Sequence, residues 1–136
     1  MNSLQTIQLM ISPVFMVSGC ALLLSTSNNK YSSVASRIRI LINDEKSKIN
    51  KTQIKLLVNR LQFIRNATYC FQLAIGFFVL SSLNIGVSYF LKNNIIDKSV
   101  MILFSFGMMS VFSGVFFLMR ESNCGFKIIK EYIKYD

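Results

Sequence analysis

One carboxylate in this sequence sits where carboxylates are rare. Glu121 follows Arg120 at the end of a stretch, Ser99 to Met119, that holds no charged residue. Lys30 closes a similar stretch that begins at Met1, and Arg65 precedes a third, from Asn66 to Leu91. A carboxylate at such a boundary is costly unless it is paired. The expected chemistry is an ion pair in which Glu121 bridges to Arg65 or Lys30. With Arg120 beside it, such a pair would pin three chain segments together.

Other chemistry is poorly supplied. The chain has no histidine, and its uncharged stretches contain no Asp or Glu. The usual acids, bases and metal ligands are therefore missing from them. Ser12, Ser18, Ser81, Ser82, Ser105, Ser110 and Ser113 have no activating base in prospect and read better as packing residues. Cys20, Cys70 and Cys124 lie far apart with no C-x-x-C pairing, so neither a disulfide framework nor a zinc site is expected. No glycine-rich phosphate loop is present. We expect no catalytic residue, no cofactor and no metal, and hence no enzyme.

The segments that position these residues follow from charge and hydropathy. Apolar residues make up 52% of the 136 and charged residues 15%, against ~25% charged in an ordinary soluble domain. Each uncharged stretch is long enough for a helix to cross the ~30 Å of hydrocarbon in a bilayer. Runs such as Ala21-Leu22-Leu23-Leu24 and Ile75-Gly76-Phe77-Phe78 do not alternate in polarity, which excludes barrel strands. The sequence predicts a single all-α membrane domain with three transmembrane helices, at residues 7–25, 67–91 and 100–119. Val17-Ser18-Gly19-Cys20 has the look of a lipoprotein cleavage site. The absence of an early Lys or Arg, and an apolar run that continues to Leu24, favour a span instead.

Between the first two spans, Tyr31, Val34, Ala35, Ile38, Leu41 and Ile42 recur with helical spacing. Residues 43–48 break the pattern as a turn. Asn50 and Gln53 look like a cap restarting a helix that carries Ile54, Leu57, Leu61, Ile64 and Thr68. A helical hairpin over residues 30–66, extending the first two spans, is expected; helices lying flat on the membrane are the alternative. Nine of the 15 Lys and Arg fall between Lys30 and Arg65. Positive residues mark the cytoplasmic side, so the hairpin and the tail, residues 120–136, should be cytoplasmic and the amino terminus outside.

The net charge of +9 raises the question of partners. Arg37, Arg39 and Arg60 are candidate contacts to anionic lipid headgroups or to an acidic membrane-protein partner; a simple solvated face is the plainer reading. Nucleic acid is not expected, because no recognised motif or interleaved stacking aromatics accompany the bases. Pro13 and Gly19 in the first span, and Gly107, Ser110 and Gly114 in the third, are candidate helix-packing residues. Pro13 could also kink the first helix.

The sequence resembles a family of small bacterial three-helix membrane proteins known as domain of unknown function 2721. The likeness rests on Ile7-Gln8, Pro13-Val14-Phe15, Gly19, Asn29-Lys30, Arg37-Ile38-Arg39, Leu41, Arg60, Ile64, Ala67 and Arg120-Glu121. Ser36 stands where members tend to carry Asp, and Lys30 replaces an Arg, which weakens any bidentate pair there. The resemblance implies the three-helix architecture and a bacterial inner membrane. It brings no activity. The expected role is association, with itself as a homo-oligomer or as an accessory or scaffold subunit of a membrane complex; the alternative is a homo-oligomeric channel or holin-like membrane-permeabilising protein.

Overall fold

A computed structural model describes residues 3–43, 48–91 and 94–134. They form three long helices, α1 (Ser3–Asn43), α2 (Lys48–Leu91) and α3 (Asn94–Lys134). Within them, Ile11–Asn43, Gln53–Ser88 and Lys98–Phe126 are each long and apolar enough to cross a membrane. The all-helical architecture and its three membrane-crossing helices are those of a multi-pass membrane protein.

Two boundaries differ from the sequence-based expectation. α2 begins at Lys48, so Asn50 lies inside its first turn and not ahead of it. No Gly or Pro stands between Lys48 and Leu57 to delay the helix. α3 does not stop at the third span but runs on to Lys134, because no breaker follows Met119 except Gly125. The expected turn at 43–48 falls largely outside the described residues.

The chain divides into two compact units, each drawing a segment from all three helices. In the first (residues 1–24 and 70–113), Cys20, Ala74 and Phe78 form the core, with Val17, Ile75, Phe104 and Val111 packed against it. Phe78 meets Phe104 at 5.4 Å between ring centroids, and Phe77 stacks on Phe106. Cys20 is thus a packed filler. In the second (residues 25–69 and 114–136), α1 and α2 meet through Val34, Leu57 and Ile64, flanked by Ile38, Leu41 and Leu61.

The buried positions obey a stricter rule than the apolar ones. In α1 they are Pro13, Cys20, Ser27 and Val34, seven residues apart each time. In α3 Gly107, Gly114 and Glu121 repeat at the same interval. In α2 Leu57, Ile64, Ala67, Phe71, Ala74, Phe78 and Ser81 advance by threes and fours, with half-buried Arg60 filling the gap after Leu57. This is the 3.5-residue period of a coiled-coil seam. What occupies it is mostly small: Gly, Ala, Ser, Cys and Pro. Many large side chains of the first unit, among them Phe15, Leu22, Leu73, Leu83, Phe106, Met109 and Phe112, face outward, as they do where lipid is the solvent.

Several polar groups in the apolar helices are absorbed by backbone, though the buried Ser27 and Ser81 hydroxyls are not. Ser18, Thr68, Asn84 and Ser105 each donate to the carbonyl four residues earlier, at 2.9–3.3 Å. Ser110 instead donates across to the Cys70 carbonyl at 2.7 Å, joining α3 to α2. Gly107 shows why that junction needs small residues: a Cβ there would stand 2.7 Å from Cε1 of the buried Phe78. At Gly19 and Gly76 nothing lies within 4 Å of such an atom. Gly19 therefore does no packing inside the chain; its face is open.

These environments predict opposite outcomes for two similar substitutions. Gly107→Ala should lower stability by ~1–3 kcal/mol, the usual cost of overpacking. Gly76→Ala should leave stability unchanged or raise it by up to ~1 kcal/mol through helix propensity. Thermal unfolding of the two variants in mild detergent checks the contrast.

Candidate functional site

The second unit buries a carboxylate. Glu121 takes the seam position of α3 that follows Gly107 and Gly114, and its side chain is 1% exposed. Two bases meet it. Lys30 of α1 donates from Nζ to Oε2 at 3.4 Å, and Arg60 of α2 donates from Nε to Oε1 at 3.0 Å. Arg60 Nη2 donates to the same oxygen. One carboxylate thus ties all three helices of this unit together. Charge-assisted hydrogen bonds of this kind are stronger than neutral ones, and a carboxylate so buried requires them.

The pairing differs in one member from the sequence-based expectation. Lys30 is in place, but the second base is Arg60 and not Arg65. The α2 seam decides this. Arg60 falls in step with Leu57, Ile64 and Ala67, whereas Arg65 is one residue past Ile64 and is exposed. Arg60, grouped by sequence with the outward bases Arg37 and Arg39, lies half-buried; Arg37 and Arg39 are exposed. Arg120 is also exposed, its guanidinium 5.4 Å from the Phe116 ring centroid. Reading α2 with a seven-residue frame, rather than by apolar residues alone, would have singled out Arg60.

A glycine makes room for the guanidinium. A Cβ on Gly125 would lie 3.2 Å from Arg60 Cζ and 3.3 Å from Nη2. The planar group rests against the α3 backbone one turn after Glu121, and any side chain there would crowd it. Beside this cluster lies an open pocket of about 390 Å³, bordered by Lys30, Arg60, Glu121 and by Ser122, Asn123 and Phe126 of α3. Of the packing candidates, Pro13, Gly107 and Gly114 are buried and Ser110 is half-buried. Among the described residues no three His, Cys, Asp or Glu side chains gather as a metal site.

The two bases are unequal, and stability should reveal it. Lys30 is 45% exposed and reaches Glu121 with one long contact; Lys30→Gln should cost about 1 kcal/mol or less. Arg60 is 24% exposed and supplies two donors. Arg60→Gln strands most of the carboxylate's charge and should cost ~3 kcal/mol. Glu121→Gln should also lower the unfolding temperature in mild detergent; an unchanged temperature would remove the clamp from the account of the fold.

No curated protein and no solved structure matches the chain. A family model described as a protein of unknown function, DUF2721, matches residues 10–131. That range takes in most of each of the three helices, together with Lys30, Arg60, Glu121 and Gly125. By that match the chain belongs to the DUF2721 family.

Proposed function

We propose that this chain is a non-enzymatic protein of the bacterial inner membrane that works by association. Its partner is a second copy or another subunit of a membrane complex. The amino terminus lies outside; the basic stretch from Lys30 to Arg65, which takes in the end of α1 and the start of α2, and the end of α3 lie in the cytoplasm, by the distribution of Lys and Arg.

One observation carries the reading. Gly107 and Gly114 are consumed in packing α3 within the chain, but Gly19 on α1 and Gly76 on α2 open outward onto empty space. Glycines on the outer face of a membrane helix let another helix come close enough for backbone contact. The channel reading is less well supported. A water-filled pore needs polar lining, and most outward side chains of the first unit are apolar.

The test is the mass of the tagged full chain and its companions, extracted in mild detergent from the native membrane. Wild type should run as a complex with itself or with a stoichiometric partner. Gly19→Leu and Gly76→Leu, placed where there is space for the side chain, should reduce that complex to single, folded chains. A closed ring of identical chains that conducts ions in reconstituted bilayers would instead establish the channel.

A further inference from the structure

We infer that the pocket beside Glu121 is a binding site for the phosphate of an anionic lipid headgroup, held by Lys30 and Arg60. The inference rests on the membrane topology proposed above and adds a ligand to it.

Charge is the first argument. The pocket's border carries two cations and one carboxylate, leaving one positive charge in excess. The carboxylate is 1% exposed, so it is screened from the open side, whereas the Lys30 side chain is 45% exposed. Donor capacity is the second. Lys30 spends one contact on Glu121, at 3.4 Å, and its ammonium has three N–H groups. The described hydrogen bonds of Arg60 use Nε and Nη2, leaving Nη1. Ser122 and Asn123 add a hydroxyl and an amide at the rim. Such a set of donors matches a ligand made of acceptors, and a phosphate diester presents several on a small centre.

Depth separates a lipid from a soluble anion. Arg120 and Glu121 come directly after the uncharged stretch of α3, and Lys30 ends that of α1. Charged residues at this boundary lie at headgroup level when the stretches span. Phe126, on the same pocket, is 71% exposed and offers an apolar surface beside the headgroup. An inorganic ion would gain nothing from that ring.

The experiment uses the full chain reconstituted in vesicles of phosphatidylcholine containing phosphatidylglycerol, with native mass spectrometry to count retained lipids. Wild type should keep phosphatidylglycerol in preference to phosphatidylcholine, and excess inorganic phosphate should not displace it. Lys30→Gln should lower retention about fivefold, the equivalent of ~1 kcal/mol for one base at the surface. Asn123→Trp, which fills the pocket and removes no charge, should lower it too. The Arg37→Gln, Arg39→Gln double variant should retain lipid as wild type does. An equal loss in that double variant would mean diffuse surface attraction and overturn the site. Displacement by inorganic phosphate would overturn the lipid in favour of a soluble anion. The same spectra report the assembly mass, so failure of the lipid site is distinguishable from failure of the association reading.

Discussion

Helices in lipid gain nothing by hiding Leu from their surroundings, since the surroundings are as apolar as Leu. What draws them together is contact, and contact is closest where side chains are smallest. Much of this structure follows from that constraint. The seam of α1 is Pro13, Cys20 and Ser27 before it becomes Val34, and that of α3 is Gly107 and Gly114 before it becomes Glu121. Phe78 can occupy the middle of the first unit because Gly107 opposite has no side chain. Ser110 reaches the Cys70 carbonyl at the same junction.

The same constraint decides what could be read from the sequence. The three helices were legible from charge-free length alone, because crossing hydrocarbon leaves no latitude. Their inward faces were not. Hydrophobic periodicity locates a core only where the other side faces water, and here Leu22 outside is more apolar than Ser27 inside. Small size singled out Gly107 and Gly114, which lie buried, and equally Gly19, which faces out. Glu121 could be found because its charge is conspicuous at the end of an apolar run. Arg60 could not be chosen over Arg65 without the register of α2. In a helix one residue is a turn of about 100°, enough to move a base from the seam to the surface.

Glu121 also shows how a seam built for closeness admits a charge. At its position in α3 a glycine would continue the pattern; a carboxylate is accepted because Lys30 and Arg60 converge on it and Gly125 lets the guanidinium lie flat. A buried polar group of this kind can fix the register of a helical seam. Slipping α2 by one seam step would put Leu57 or Ile64 opposite the carboxylate and leave it with Lys30 alone.

The helices run 41 to 44 residues, about 60 Å, or twice the thickness of hydrocarbon. The two units therefore meet different solvents in the proposed topology, and their filling differs accordingly. Small residues and Phe pack the first unit, while Val34, Leu57, Ile64 and their aliphatic neighbours pack the second. Burial from water carries a large heat-capacity change and weakens on cooling; contact between helices in lipid has no such term. The aliphatic half should loosen first in the cold or in urea, with the lipid-bound half still folded. The protein would then melt in two calorimetric steps although no break in any helix separates them.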